Sequence, residues 1–354
     1  MKKIINLILT LFIILSVGIN VIGCSKEEDS INTIVDMAGT TITLPMQIDN
    51  VICVSQNAME FMVAMGLGDK LIGVHKSIFD HTWSPEYITN LNSLSGYGYS
   101  PAAEAVYSSG ADLVIVKEAS AAEKLRQAGI TAITFQYSNV EEMFQAVRML
   151  GEIFGRDTKS YAERWIADYK NVAKEIEAKV STLTEEQKIN AYFINASVAL
   201  DAGGLTSTVG GDNIVSDWFN TIGVNLVTED YHDISSINEE RILEINPEAI
   251  IIGGWSENTR KEQLLSDEKW TDINAVKNGK IYLTPVGFVS FERYAVEAPI
   301  LLRYSASLVY PDLFEYNAIE DFKQFFKDYY GLEVSEEKIG YMLKGLSPDG
   351  SRMD

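Results

Sequence analysis

The chain has 354 residues, of which 46% are hydrophobic, and it carries a formal net charge of −21 at pH 7. This length allows two domains of ordinary size, and the negative charge disfavours nucleic acid and anionic lipid surfaces as partners. The two cysteines cannot supply a zinc cluster or a disulfide framework. One of them, Cys53, lies in an apolar strand pattern and is expected to be a buried, unreactive thiol.

The N-terminal segment has the parts of a secretory signal. Lys2 and Lys3 precede a long apolar run that ends in Ile22-Gly23-Cys24. A cysteine directly after Ile-Gly resembles a bacterial lipobox, which implies a signal peptide over residues 1–23, cleavage before Cys24 and a lipid on its thiol. The polar residues 24–32 are predicted to be a flexible tether. An uncleaved membrane-spanning helix is the alternative.

Short aliphatic runs then alternate with amphipathic segments. The runs predict strands at 50–55, 71–75, 112–116 and 131–135, and the segments between them predict helices at 57–65, 101–109 and 119–128. The alternation restarts later, with strands at 189–194, 249–252 and 280–283 and helices at 214–221, 239–245 and 294–309. Such alternation is typical of parallel sheets covered by helices on both faces.

The two alternating regions are separated by residues 157–183, which contain neither glycine nor proline and have apolar residues at helical spacing. A helix of about 25 residues would be ~38 Å long, enough to run beside two adjacent lobes. An ordinary surface helix within one domain is the alternative. We therefore predict an N-terminal lobe over 33–155, a linking helix over 156–184 and a C-terminal lobe over 185–354 that ends in a helical extension.

A weak internal repeat relates the two regions. Glu104 lies eight residues before Asp112, and Glu240 lies eight residues before Glu248. In both cases an acid at a predicted helix start precedes an acid at a predicted strand start. This correspondence indicates two related halves.

The chain resembles a known family in a set of segments that keep the family's order, namely 35–45, 50–55, 60–74, 110–115, 246–251 and 275–282. The family comprises the solute-binding proteins of ABC importers for ferric siderophores, heme and cobalamin. The resemblance covers residues 33 to 315. It implies an α/β fold of two Rossmann-like lobes with mainly parallel sheets, joined by a single long α-helix, with the ligand cleft between the lobes.

The resemblance also implies a function. A monomeric lipoprotein, anchored outside the cell membrane by its lipid, would bind a metal chelate such as a ferric siderophore, heme or corrinoid. It would deliver the chelate to a permease and an ATPase. The protein would not be an enzyme and would hold no cofactor of its own, whereas the transported ligand would contain a metal. Common catalytic and nucleotide-binding motifs are absent from the sequence.

Other functions remain open on the sequence. The same fold could bind an oxyanion such as molybdate or tungstate, or a nickel complex. A lipoprotein used for ligand sensing or adhesion, without a transporter, is an alternative of a different class.

The resemblance assigns docking roles to Glu104 and Glu240. In the family, one glutamate on each lobe contacts arginines of the permease. Exposed carboxylates at matching places on two lobes can pair with fixed cations on a symmetric partner. The alternative is that both acids only stabilise the N-termini of their helices.

Ligand is expected where the carboxyl ends of the strands of both lobes meet. Arg293 is the main candidate because a guanidinium group can bind chelate oxygens in a bidentate manner; an ion pair with Glu292 or Glu297 is the alternative. The loop at 55–57 opens a helix, so its backbone amides, including that of Asn57, are expected to face the cleft and to favour anionic groups. The remaining candidates are His75 at a strand end, His81, Tyr97 and Tyr99 on loops, and Trp255 and Tyr294, for which packing in the core is the alternative.

The histidines are not spaced like the ligands of a bare metal ion. His75, at the end of a strand, is the one possible metal ligand among them. His232 is expected to lie in a surface loop.

Overall fold

The computed structural model describes residues 32–197 and 204–353. The predicted signal peptide, Cys24 and nearly all of the predicted tether lie outside the described residues. A short antiparallel hairpin opens the described part, with β1 at Thr33–Val35 and β2 at Thr41–Thr43.

The first half contains a five-stranded sheet whose neighbouring strands are all parallel. Its strands are β3 (Val51–Cys53), β4 (Leu71–His75), β5 (Ser95–Tyr97), β6 (Leu113–Val116) and β7 (Ala132–Thr134), in the order β5-β4-β3-β6-β7. Its helices are α1 (Gln56–Ala64), α2 (Ser84–Tyr87), α3 (Ala103–Ser109), α4 (Ala119–Gln127) and α5 (Val140–Phe154). All four residues of β6 are buried, as expected for a parallel strand covered on both faces.

A single long helix, α6 (Arg156–Val180), follows this half and has 25 residues, a length of ~38 Å. It begins after Gly155, whose φ of +106° ends the preceding helix. The face of α6 that carries Trp165, Tyr169 and Ile176 is buried against the core. The predicted long helix between two β/α regions is therefore present.

The second half contains a four-stranded parallel sheet in the order β11-β10-β8-β9. Its strands are β8 (Asn190–Asn195), β9 (Asn225–Leu226), β10 (Ala249–Gly253) and β11 (Ile281–Leu283). Its helices are α7 (Ile214–Thr221), α8 (Glu239–Ile245), α9 (Glu257–Ser266), α10 (Asn274–Lys277) and α11 (Ala298–Val309), followed by α12 (Ala318–Tyr330) and α13 (Glu336–Met342). The predicted α/β fold class, with parallel sheets on either side of a long helix, is confirmed.

One predicted helix starts later than expected. The sequence pattern predicted a helix from position 294, but α11 begins only at Ala298. Tyr294 has a φ of +57°, in the left-handed region, and this conformation interrupts the right-handed helical path. The residues before it, Phe291–Arg293, form a short 3₁₀ turn instead.

The internal repeat is visible as equivalent structure. Helices α3 and α8 each have seven residues, and each ends in a left-handed residue, Gly110 or Asn246. The acid that follows caps the start of the neighbouring strand: the Asp112 carboxylate accepts a hydrogen bond from the backbone N–H at position 50, and Glu248 accepts one from position 190. Glu104 and Glu240 therefore occupy the same place, the second residue, on matching helices.

The C-terminal segment, residues 312–353, contacts both halves. In the first half, the Trp83 indole N–H donates to the Leu346 carbonyl over 2.9 Å, and Lys338 pairs with Glu86 at 2.6 Å. In the second half, the backbone N–H of Val286 donates to a carbonyl of α13 over 3.0 Å. Because these contacts lie on both sides, the helices after Pro311 connect the two halves as well as extending the second.

A buried pair of carboxyl groups lies beneath this segment. The Tyr330 hydroxyl is 2.7 Å from Oε1 of Glu297 and 3.2 Å from Oε1 of Glu60. Both glutamates are at most 1% exposed. Burial raises the pKa of Glu297 to about 8, so this carboxyl group is protonated at neutral pH.

We expect Glu297 to make the protein less stable as the pH rises. Its pKa in the folded state lies above the ordinary value of 4.5, so its stabilising contribution is complete below pH 4.5 and is lost as the pH rises through about 8. The free energy of unfolding of wild type minus that of Glu297→Gln should fall by about 1 kcal/mol per pH unit in that window. Guanidinium unfolding at pH 5.5 and pH 8 checks this, and a difference that does not change with pH would contradict it.

Candidate ligand-binding cleft

A cavity of about 560 Å³ lies between the two halves, at the carboxyl ends of their strands. From the first half it is lined by residues that follow β3, β5, β6 and β7: Ser55, Gln56, Asn57, Tyr99, Lys117, Glu118, Phe135, Gln136 and Tyr137. From the second half it is lined by Phe193, Asn195, Ser197, Val209, Asn213, Ile214, Val215, Glu292 and Arg293. This is the position at which parallel α/β sheets bind ligands.

Arg293 lines the cavity with an unsatisfied donor. Its Nε is buried and has no hydrogen-bond partner among the described residues. Its backbone carbonyl accepts a hydrogen bond from Asn57 Nδ2 of the first half over 3.0 Å. A buried guanidinium N–H without an acceptor is costly, so an acceptor oxygen of a ligand would complete this site.

His75 ends β4 beside the cavity. Its Nδ1 lies 2.7 Å from the Ser77 hydroxyl and accepts from the Ser77 backbone N–H. Its ring stacks on Tyr99, with ring centroids 3.8 Å apart. Burial, followed by the charges of Lys76 and Arg293, lowers the pKa of His75, so its imidazole is neutral at pH 7.

A second contact between rings joins the two halves. The His81 ring lies against Trp255, which follows β10, with centroids 4.0 Å apart. Nδ1 of His81 is buried without a hydrogen-bond partner in the described part of the chain. Burial first and then the Arg293 charge lower the pKa of His81 to about 4, so this ring is also neutral.

The charged groups around the cavity balance one another. The cavity wall carries two cations, Lys117 and Arg293, and two carboxylates, Glu118 and Glu292. Glu292 is buried and accepts hydrogen bonds from the hydroxyl groups of Ser197 (2.7 Å) and Ser290. The other described lining residues are amide, hydroxyl, aromatic or aliphatic, so the described part of the wall has no formal net charge despite the acidity of the whole chain.

The structure brings some predicted ligand residues to the cavity and leaves others out. Arg293, Asn57 and Tyr99 line the cavity. His75 stacks on Tyr99, and His81 is close enough to Arg293 for its charge to lower the His81 pKa. Trp255 is not among the lining residues but packs on His81.

Two further predicted ligand residues do not line the cavity: Tyr294 is in the protein interior, and Tyr97 is half-buried on the edge strand β5. Tyr294 is fully buried, and its hydroxyl lies 2.8 Å from that of Tyr169 on α6. The left-handed backbone of Tyr294 turns its ring away from the cavity. Tyr97 pairs with His75 across β4 and β5, and its ring packs over Gly73.

Several lining residues were not predicted from the sequence. Lys117 directly follows β6, and Phe135 and Tyr137 are the first and third residues after β7, which ends one residue before the predicted strand. The rule that ligands bind at the carboxyl ends of strands could therefore have identified them. Asn213 precedes α7, and its side chain caps that helix. An asparagine before a helix is fully explained by this capping role, so the sequence gives no separate sign that it lines the cavity.

The predicted docking glutamates, Glu104 and Glu240, are both exposed.

Among the described residues, no group of three or more histidine, cysteine or acidic side chains is arranged to hold a metal ion. No helix in the described ranges combines the length and the apolar character needed to cross a bilayer. Cys53 is buried, which raises its pKa and keeps it as a thiol.

Comparison with known proteins places the chain in a family. The sequence model described as periplasmic binding protein matches residues 51–286. An uncharacterized ABC transporter substrate-binding lipoprotein, YvrC of Bacillus subtilis (strain 168), is 26% identical over 71% of this chain and 77% of its own length. The iron(3+)-hydroxamate-binding protein FhuD of the same organism is 24% identical over 66% of this chain and 74% of its own.

Solved structures share the fold at lower identity. A periplasmic solute-binding protein of Veillonella parvula superposes with a TM-score of 0.73 at 21% identity, covering 90% of this chain and 98% of its own. The molybdate-binding protein MolA of Haemophilus influenzae (16% identity; 86% and 99% covered) and nickel-bound CeuE of Helicobacter pylori (18%; 88% and 99%) both give 0.72. The resemblance noted in the sequence is confirmed: the chain belongs to the periplasmic binding protein family.

Proposed function

We propose that this protein captures a neutral ferric chelate of the hydroxamate type outside the cell membrane and delivers it to an ABC permease. The observation that supports this proposal most strongly is the cavity between the two halves. Its volume, its charge balance and the Arg293 Nε, which has no hydrogen-bond partner among the described residues, each constrain the ligand.

The volume favours a chelate over a bare ion or oxyanion. A cavity of about 560 Å³ falls within the range of sites for drug-sized ligands, roughly 300–1,000 Å³. It has space for on the order of twenty water molecules at ~30 Å³ each. A tetrahedral oxyanion such as molybdate would fill a small part of it and would leave most of the aromatic wall in contact with water.

The charge balance favours a neutral chelate. Three singly charged hydroxamates neutralise one ferric ion, whereas a ferric tricatecholate keeps three negative charges and would need a surplus of cations. Among the described residues the wall offers as many carboxylates as cations, and each carboxylate is adjacent in sequence to a cation: Glu118 to Lys117 and Glu292 to Arg293. Hydroxamate binding is also the activity in the name of the relative FhuD.

In the proposed complex, aromatic side chains such as Phe135, Phe193 and Tyr99 contact the carbon skeleton of the chelate. Arg293 donates to the metal-bound oxygens, which are the strongest acceptors on such a ligand. The amides of Gln56, Asn195 and Asn213 are available for its remaining polar groups.

A nickel complex is the second candidate. His75 and His81 lie near Arg293 and are both neutral, the state in which imidazole binds nickel. A small nickel chelate with open coordination positions could receive one of these rings.

The anchoring and delivery steps belong to the same proposal. A lipid on Cys24 would hold the protein at the outer face of the cell membrane, as the name of the relative YvrC suggests. Glu104 and Glu240 would then dock onto the permease, one from each half.

Isothermal titration calorimetry of the purified protein tests the proposed ligand class. We expect a ferric trihydroxamate to bind with a dissociation constant of about 1 µM or below, and a ferric tricatecholate, molybdate and nickel(II)–histidine to bind at least tenfold more weakly. Tighter binding of nickel–histidine would favour the second candidate. Binding of none of the four would contradict the proposed function.

A further inference from the structure

The turn at Arg293 and Tyr294 has an unusual backbone. Among the described residues, Tyr294 is one of three non-glycine residues with positive φ, and it is the bulkiest of them. A left-handed conformation costs an L-residue roughly 1–2 kcal/mol. It persists where surrounding contacts hold it, and such positions cluster at functional sites.

The contacts that hold Tyr294 come from three parts of the fold. Its hydroxyl lies 2.8 Å from that of Tyr169 on the long helix α6. Its ring packs near Trp218 of α7 in the second half, with centroids 6.3 Å apart. Its backbone carbonyl accepts a hydrogen bond from the Tyr137 hydroxyl of the first half over 2.9 Å.

Three hydrogen bonds that involve Asn57 and Tyr137 connect this turn to the first half. The Asn57 amide uses one N–H to donate to the Arg293 carbonyl (3.0 Å) and the other to donate to the Tyr137 oxygen (2.6 Å). The Tyr137 O–H then donates to the Tyr294 carbonyl. Burial raises the pKa of Tyr137, so its hydroxyl keeps the proton that this bond requires. Both amide hydrogens of Asn57 are therefore already engaged.

We propose that Asn57 and Tyr137 are positioning residues that act on the ligand through Arg293. They belong to the first half, yet they hold both carbonyls of a turn in the second half, and this turn aims the Arg293 side chain into the cavity. The alignment of the two halves is thereby coupled to ligand affinity. This inference rests on the proposed function. In this inference the Asn57 side chain acts on the ligand through Arg293 and not by direct contact.

A double-mutant cycle between Tyr137 and Arg293 tests the inference, with a ferric trihydroxamate as the probe and calorimetry as the measurement. Tyr137→Phe removes the oxygen that contacts Asn57 and Tyr294 but keeps the ring in the cavity wall. We expect it to weaken binding about five- to tenfold in the wild-type background and less than twofold in the Arg293→Ala background, because residues that act as a unit are not additive.

A role in packing or a direct contact with the ligand would give equal losses in both backgrounds, and that result would overturn the inference. It would also be overturned if Arg293→Ala left the affinity unchanged. Asn57→Ser, taken through the same cycle, provides a second variant if Tyr137→Phe does not fold.

The matched control is Tyr192→Phe. Tyr192 is a buried tyrosine whose hydroxyl donates to the Leu205 carbonyl, and it is not among the cavity-lining residues. We expect this variant to bind like the wild type. If the wild-type protein binds none of the four probe ligands, the proposed function fails; if it binds one and the cycle with that ligand is additive, only the positioning role fails.

Discussion

Replacement of both Glu104 and Glu240 by alanine is expected to reduce ligand uptake by cells at least tenfold without a change in ligand affinity. The two carboxylates are exposed and occupy the second position of matching seven-residue helices, one in each half. An acid pair related in this way can contact the two related halves of a permease at the same time. Loss of a charge partner at an interface commonly costs 2 kcal/mol or more, which is about thirtyfold in affinity.

The control variant also removes one negative charge from each half, but at positions away from the matching helices. Glu123 on α4 and Glu268 after α9 are also exposed, and their double replacement by alanine should leave uptake unchanged. Uptake of a radiolabelled ferric trihydroxamate, with calorimetry on the purified variants, makes the comparison. Normal uptake by the Glu104→Ala, Glu240→Ala variant would show that these acids serve only their own helices.

Arg293→Ala is expected to weaken ligand binding by about ten- to a hundredfold. The Nε of Arg293 is buried and unpaired among the described residues, and a hydrogen bond to a charged donor contributes about 1.5–3 kcal/mol. Arg293→Lys should recover part of the loss, because lysine keeps the charge but not the forked geometry. Calorimetry with a ferric trihydroxamate measures both variants.

Arg303→Ala is the matched control for Arg293→Ala. Arg303 lies on α11, pairs with Asp321 at 3.1 Å and does not line the cavity. Its replacement should leave affinity unchanged. If Arg293→Ala binds the chelate as tightly as Arg303→Ala does, Arg293 is not a ligand contact.

Much of the fold follows from patterns that the sequence carries locally. The apolar run at 112–116 predicts a strand, and its residues Leu113–Val116 are buried in the sheet. The segment 157–183 has helical spacing without glycine or proline, and the helix spans Arg156–Val180. The repeated eight-residue spacing between acids correctly identified the two matching helices. In each repeat the second acid, Asp112 or Glu248, accepts a hydrogen bond at the start of a neighbouring strand, so both repeats have the same structure.

The candidate site was predicted less completely because side-chain direction depends on backbone angles that periodicity does not report. Arg293 and Tyr294 are neighbours, yet one lines the cavity and the other lies in the core. The difference arises from the left-handed conformation of Tyr294, which also delays the start of α11. The contacts of the C-terminal segment with Trp83 and Glu86 join residues that are distant in sequence, so no local pattern could reveal them.

The location of iron in a crystal grown with a ferric trihydroxamate tests the central claim most directly. X-ray data collected at the iron absorption edge should show one anomalous peak per molecule inside the cavity, between the aromatic wall at Phe135 and Phe193 and the side chain of Arg293. A cavity without iron in crystals of protein saturated with the chelate, or a peak found only outside the cavity, would contradict the claim that the two halves hold a metal chelate between them.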